Sequence, residues 1–103
     1  MIALVFSYEV RDAAEFERAY GPEGEWAGFF RQGPGYVGTE LLRDLEVAGR
    51  YLVVDRWDST DAYNAFVAEH RDEYMRRVDD TRYQYESELR FGTFENVWER
   101  PAG

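Results

Sequence analysis

The chain has 103 residues, a formal charge of −9 and an aromatic content of 17%. Acidic residues outnumber basic ones by 21 to 12, which argues against the clustered positive charge that nucleic acids and anionic membranes require of a partner. The chain contains neither Cys nor Lys, which excludes thiol nucleophiles, disulfides, thiolate metal sites and Schiff-base chemistry.

The first third of the chain predicts a strand followed by a broken helix. Residues 2–10 alternate between two faces with the period of a strand. Asp12 is followed three residues later by a glutamate, a capping pattern that predicts a helix from about Asp12. Proline disrupts a helix interior, so the segment should break near Pro22, which can start a second piece carrying Trp26 and ending at about Gln32.

Two strands are predicted next, the first from Tyr36 to Asp44 and the second from Arg50 to Trp57. Alternation places Asp55 on the same apolar face as Trp57. A carboxylate on that face needs a partner if it is buried. The ordinary partner is an arginine of a neighbouring strand or of another subunit, and a catalytic role is the alternative.

The last part of the chain predicts a helix and a strand. After a cap at Asp58 or Ser59, apolar residues recur at helical spacing over 63–78, with His70 near the middle of the buried stripe. An Asp79-Asp80 break and a tyrosine-rich connector should follow. A last strand is expected over 89–98, with a tail from about residue 99.

This order of elements is the ferredoxin-like βαββαβ arrangement, an α+β fold with an antiparallel four-stranded sheet and helices on one face. Residues 1–103 are expected to form a single domain, since this length leaves room for one core. The strands carry apolar groups on both sides, so a second sheet should cover the face opposite the helices. We therefore expect a homodimer that forms through sheet faces.

The N-terminus carries only a short apolar run. The segment Met1 to Phe6 is soon followed by Glu9 and Arg11, so it predicts neither a signal peptide nor a membrane span. The expected compartment is the cytoplasm. The expected partners are a small molecule and a second copy of the chain, with no nucleic acid and no membrane.

His70 and Trp57 are candidate site residues, each with a structural alternative. His70 is the only histidine, so it is the only side chain whose ordinary pKa lies near neutrality. It is either a base or ligand, or a core histidine that needs only a hydrogen-bond partner. Trp57 is either a large core ring or the wall of a pocket for a flat aromatic ligand.

Other reaction classes find no support in the sequence. No serine lies in a G-x-S-x-G context, which disfavours hydrolase triads. The glycines at 33, 35 and 38 have neither the dinucleotide-binding spacing nor a P-loop lysine. One histidine and scattered carboxylates do not make a dedicated transition-metal site, so no metal is expected.

Several motifs, taken in order, carry a family resemblance. They are Phe16 to Tyr20 before Trp26, the Pro34–Gly38 turn into the second strand, Tyr51 to Trp57 with Ser59 before the second helix, and Phe66, His70 and Tyr74 within it. Over Ile2 to about Phe94, the chain resembles the antibiotic biosynthesis monooxygenase (ABM) family. The resemblance implies a dimeric α+β barrel.

The resemblance also implies an activity. Characterised members include cofactor-independent oxygenases that act on phenols, quinols and anthrone-like compounds, and in that mechanism the protein removes a proton and shields the resulting carbanion while dioxygen reacts. No cofactor is then expected. The implied roles are a base for His70, an orienting donor for Tyr8, and substrate-binding walls for Trp57, Phe66, Tyr74 and Trp26.

Two alternatives stay open at this point. In the haem-degrading branch of the family, the site looks like a set of one Asn, one Trp and one His residue. Trp57 and His70 could supply two of the three, but strand one carries Ser7 and Tyr8 where the asparagine is expected. The other alternative is a non-catalytic dimeric protein that binds a small molecule or responds to stress, because fold alone does not specify function. An open cavity beneath the second helix with His70 inside it would favour chemistry.

Overall fold

A computed structural model describes residues 1–97 of the chain, so the predicted tail and Trp98 lie outside the described residues. The elements in chain order are β1 (Ile2–Val10), α1 (Ala13–Tyr20), α2 (Glu25–Phe30), β2 (Tyr36–Arg43), β3 (Arg50–Trp57), α3 (Thr60–Glu69), α4 (Arg71–Thr81) and β4 (Tyr85–Glu95), with a 3-10 turn, Arg82–Gln84, before β4. The predicted order of elements is confirmed.

The four strands form one antiparallel sheet in the order β2-β3-β1-β4. In the register of the sheet, Asp55 of β3 lies between Leu4 of β1 and Thr39 of β2. The helices cover the face that carries Leu4 and Tyr8, which are 1% and 4% exposed. This arrangement confirms the ferredoxin-like α+β fold.

The capping pattern at Asp12 is confirmed, because its Oδ1 accepts the Glu15 backbone N–H at 3.1 Å. The helix also breaks after Tyr20, as expected. The second piece begins at Glu25 rather than at Pro22, so the expected start at Pro22 is wrong. The intervening residues form a turn closed by a 2.9 Å hydrogen bond from the Gly24 N–H to the Gly21 carbonyl.

The predicted continuous helix over 63–78 is divided at His70, and this prediction is wrong. His70 has φ −113° and ψ 30°, outside the helical region, and it ends α3 and precedes α4. Its ring Nδ1 lies 3.1 Å from the carbonyl oxygen of Phe66, and its ring stacks on the Phe66 ring with centroids 4.3 Å apart. The imidazole therefore shares the Phe66 carbonyl with the His70 backbone N–H, which donates to it at 2.9 Å.

The expected break at Asp79-Asp80 is also wrong, since α4 continues to Thr81. The Thr81 hydroxyl donates to the Arg77 carbonyl at 2.9 Å and satisfies one of the last carbonyls of the helix. The last strand then begins at Tyr85 rather than near residue 89, because it pairs with the whole of β1.

The core is built mainly from aromatic rings between the helices and the sheet. Its largest fully buried side chains are Trp57, Phe16, Phe29 and Leu4. Within residues 1–97, every helix is too short or too polar to cross a bilayer.

Candidate functional site

A cavity of about 240 Å³ lies between the helices and the sheet. Its walls combine aromatic rings with two carboxylates, and every long element of the fold contributes to them. The lining residues are Phe6, Tyr8, Tyr20, Trp26, Phe30, Thr39, Val53, Asp55, Tyr63, Tyr74, Met75, Val78, Tyr85 and Glu88. Such a largely apolar cavity with a few convergent polar groups is typical of a small-molecule site.

Asp55 is the buried carboxylate of the cavity, with 8% of its surface exposed. Its Oδ1 accepts a hydrogen bond from Thr39 Oγ1 at 2.6 Å. The Thr39 oxygen lies 2.5 Å from the Tyr36 hydroxyl, which donates to it because the Thr39 proton is used on Asp55. A chain of two hydroxyls therefore leads from Tyr36 to the carboxylate.

Within residues 1–97, no arginine of a neighbouring strand pairs with Asp55, and pairing with an arginine of another subunit stays a prediction. Neighbouring Arg56 lies on the opposite face of the sheet and donates to Glu40 at 2.8 Å. Burial raises the pKa of Asp55 from its ordinary 3.8 to about 6, and the hydrogen bond from Thr39 opposes part of this rise. The group is therefore mostly ionised at neutral pH, yet basic enough to accept a proton.

Replacing Thr39 with valine tests this account of Asp55. The change removes the hydrogen bond that favours the ionised carboxylate, so the pKa of Asp55 should rise further, by about one pH unit. The measurement is a carbon-13 NMR titration of the Asp55 carboxyl. Thr39→Ser keeps the hydroxyl and should keep the wild-type titration, and an unchanged curve for Thr39→Val would contradict the account.

Glu88 is the second carboxylate of the cavity and, unlike Asp55, it is exposed to solvent. Its Oε2 accepts a 2.6 Å hydrogen bond from the hydroxyl of Tyr8, its neighbour across the β1–β4 pair. The pKa of Tyr8 is raised far above its ordinary value, first by burial and then by the nearby Tyr20. Burial also raises the pKa of Tyr63 and Tyr74. These tyrosines therefore stay protonated. The Tyr8 hydroxyl already donates to Glu88, and Tyr63 and Tyr74 hydrogen-bond each other, so one hydroxyl of that pair keeps a proton that a ligand can accept.

The structure brings three of the sequence-predicted site residues together in the cavity wall, Tyr8, Trp26 and Tyr74. Trp57 and Phe66, by contrast, are 0% and 2% exposed and are not among its lining residues. They pack against each other, with ring centroids 5.5 Å apart, in the layer behind the cavity.

His70 also lies away from the cavity. It is half-buried at the junction of α3 and α4, where it borders a shallow surface depression formed by residues 68–73. Besides stacking on Phe66, its ring meets the Phe29 ring edge-on, with centroids 6.0 Å apart. The role of base for His70 stays a prediction, and its position gives it no contact with a ligand in this cavity.

Sequence reasoning missed Thr39 and Glu88 as lining residues. The sequence places Asp55 as a carboxylate on an apolar face, and the structure has this group in the cavity wall with a raised pKa. Thr39 could have been found only from the strand register, which places it beside Asp55. Among residues 1–97, no group of three or more His, Asp or Glu side chains is arranged to hold a metal ion.

Comparisons with known proteins agree with this fold. The sequence profile of the antibiotic biosynthesis monooxygenase family matches residues 1–77. A mutant of SnoaB, a cofactor-independent oxygenase from Streptomyces nogalater, shares 24% identity over 98% of this chain and 97% of its own, with a TM-score of 0.79. MhuD, a heme-degrader from Mycobacterium tuberculosis solved with two hemes in its active site, shares 23% identity over 98% of this chain and 100% of its own, with a TM-score of 0.70. No curated protein matches the chain in sequence.

Proposed function

This chain belongs to the antibiotic biosynthesis monooxygenase family, and on that premise we propose that it is a monooxygenase that oxidises a small aromatic compound without a cofactor. The observation that carries the proposal is Asp55, a buried carboxylate with a raised pKa in the wall of an aromatic cavity. Catalytic bases are often tuned toward neutral pH in this way by burial.

In the proposed reaction, the Asp55 carboxylate takes a proton from an acidic C–H or phenolic O–H group of the substrate. The resulting carbanion or enolate gives its electrons to dioxygen, and a bond forms between carbon and oxygen. The peroxide takes up a proton and then breaks its O–O bond with loss of the hydrogen that remains on that carbon. A methylene group and dioxygen thus become a carbonyl group and water; in a phenol, the O–H and one ring C–H become two carbonyl groups, again with one water. In both cases the substrate supplies the four electrons.

The remaining cavity residues suit this chemistry by position and charge. The Tyr63–Tyr74 pair has one hydroxyl proton free to donate to an oxygen atom of a phenol or quinol. Tyr8, whose proton is held by Glu88, can accept a hydrogen bond from a substrate hydroxyl. The aromatic walls, including Trp26 and Phe30, provide offset or edge contacts to a flat ring. A water-poor environment also protects a carbanion from unproductive protonation.

Oxygen uptake tests the proposal. Purified protein with an anthrone or quinol substrate should consume one dioxygen for each quinone formed, at a rate above that of the substrate alone and without added metal or cofactor. The pKa of Asp55 predicts that the rate falls as pH drops below about 6. Ligand binding without oxygen uptake for any such substrate would instead favour the non-catalytic binding protein.

Haem chemistry is not proposed for this cavity. His70, the only histidine, lies outside it, so no imidazole is available there as an axial ligand. Asp55 and Glu88 in the wall would also oppose the propionates of a haem. The expected result is that added hemin gives no shifted Soret band with this protein.

We propose, in addition, that the protein acts as a homodimer through the open face of its sheet. On that face Leu42, Leu52, Ser7 and Leu89 lie in register across all four strands. Leu42 and Leu89 are 47% and 59% exposed, and Phe91 beside them is 53% exposed. An apolar row of this kind on an otherwise charged chain is typical of a subunit interface.

Light scattering after size exclusion tests the dimer, for which a mass of about twice the 12.1 kDa of one chain is expected. Leu89→Glu should shift the protein toward the monomer, because it buries a charge in the interface. Leu45→Glu is the matched control, since Leu45 is 94% exposed in the loop between β2 and β3. Wild-type protein that elutes as a monomer at micromolar concentration would contradict the proposal.

A further inference from the structure

We infer that the cavity selects aromatic ligands that carry no negative charge, either neutral hydroxylated rings or cationic ones. The inference rests on the proposed function only in taking this cavity as the ligand site. It concerns the substrate class, which neither the family nor its solved members specify for this chain. It follows from the charges in the cavity wall and from where they lie.

The two carboxylates lie toward opposite ends of the cavity. Asp55 pairs in register with Leu4, and Glu88 pairs with Tyr8, four residues farther along the same strand. At about 3.3 Å per residue, these positions are separated by about 13 Å along β1. A ligand lying along β1 in this cavity therefore has a carboxylate near each end.

The positive charges nearest to these carboxylates lie at the edge of the cavity and not in its lining. Among residues 1–97, no arginine and no histidine lines the cavity. Arg90 follows Glu88 on the same face of β4, and its guanidinium donates to Thr93 at 2.9 Å. Its charge opposes part of the rise in the pKa of Tyr63 and Tyr74, and Arg82 hydrogen-bonds Tyr85, so both arginines lie close to the edge of the cavity. Arg77 lies over the Phe29 ring at 4.9 Å and pairs with Glu73 at 2.9 Å.

An anionic ligand beside the buried Asp55 would therefore lose its hydration with no arginine or histidine in the lining to pair with. Burying an unpaired carboxylate is costly, and a like charge nearby raises that cost further. A ligand hydroxyl or ammonium, by contrast, can donate to Asp55 or Glu88, each of which has one oxygen already held by a protein hydroxyl. The same wall that repels a carboxylate thus favours a phenol or an amine.

The size of the cavity limits the ligand as well. Its volume of about 240 Å³ lies below the range of roughly 300–1,000 Å³ that is usual for drug-sized ligands. Met75 lines it with a side chain that is 50% exposed, which places this residue at the mouth. A compact ring system fits these limits better than a long or branched compound.

Three probes with one ring system separate size from charge: 2-naphthol, 2-naphthylmethylamine and 2-naphthoic acid. At neutral pH they are neutral, cationic and anionic. Binding is measured by quenching of tryptophan fluorescence, because Trp26 lies in the cavity wall, and by calorimetry. We expect 2-naphthoate to bind at least about tenfold more weakly than the other two.

Two variants test whether the carboxylates of the cavity wall cause the selectivity. Glu88→Gln and Asp55→Asn should each strengthen 2-naphthoate binding relative to 2-naphthol, because each removes one negative charge. Glu86→Gln is the matched control, since Glu86 is an exposed β4 residue that pairs with Arg11 outside the cavity. It removes the same net charge and should leave the ratio unchanged.

The binding experiment is independent of turnover, so a protein that consumes no oxygen can still show the selectivity. Equal affinity for the three probes, or no binding of any of them, would overturn the inference. A ratio that changes as much in Glu86→Gln as in Glu88→Gln would also overturn it, because the effect would then come from the net charge of the chain.

Discussion

Replacing Asp55 with asparagine is expected to lower kcat by about 10²–10⁴-fold, the range that a general base contributes. Asparagine has nearly the same shape as aspartate and can still accept the hydrogen bond from Thr39, but it cannot take a proton from the substrate. The measurement is steady-state oxygen uptake with an anthrone or quinol substrate. Ligand affinity should change much less than kcat, because the loss concerns a step after binding.

The same substitution should stabilise the fold. The pKa of Asp55 in the folded protein is about 6, above the ordinary 3.8, so its contribution to stability is greatest below about 3.8 and is lost as pH rises through 6. At pH 7 the buried carboxylate therefore destabilises the protein by on the order of 3 kcal/mol. Asp55→Asn should raise the free energy of unfolding in urea at pH 7, and the gain should shrink as pH falls below 6.

A substitution that lowers kcat and raises the free energy of unfolding indicates a catalytic group, because replacing a structural residue would lower both. His70→Ala is the informative comparison, because the family resemblance implies the role of base for His70. Its ring lies outside the cavity, so the change should lower kcat by less than about tenfold. A loss for His70→Ala equal to that for Asp55→Asn would contradict the assignment of the base to Asp55.

Strand positions were predictable because a two-residue period is read directly from the sequence. β1 and β3 were predicted with their observed bounds, since apolar side chains alternate along both. Helix ends were less predictable, because they depend on single hydrogen bonds. One predicted helix is two in the structure, because His70 leaves the helical region at φ −113° and ψ 30°.

The cavity was only partly predictable. The two-residue period of a strand assigns each side chain to one face of the sheet, but it does not indicate which positions on that face line an open cavity. Asp55 and Trp57 share one face of β3, yet one lines the cavity and the other is sealed beneath the helices. The difference comes from Phe30, Tyr63 and Phe66, whose rings all pack against Trp57. Such packing depends on residues distant in sequence, so no local pattern encodes it.

Replacing Trp57 with alanine is accordingly expected to cost stability, by about 3–5 kcal/mol, which is the usual loss for a buried aromatic residue. Trp57 is 0% exposed, and removing its ring would leave a void that the surrounding rings cannot fill completely. Urea unfolding followed by circular dichroism measures the loss. Met75→Ala is the control, since its half-exposed side chain should cost less than about 1 kcal/mol.

Trp57→Phe separates the core role of this residue from the substrate-binding role that the family resemblance implies. Phenylalanine keeps most of the packing and removes an indole N–H that is buried without a hydrogen-bond partner within residues 1–97. The variant should therefore fold and bind 2-naphthol within about threefold of wild type, a difference below 1 kcal/mol. If Trp57 formed the cavity wall, ligand affinity would fall further than this in a protein whose stability is nearly unchanged. The two measurements together thus decide whether this tryptophan serves the ligand or the fold.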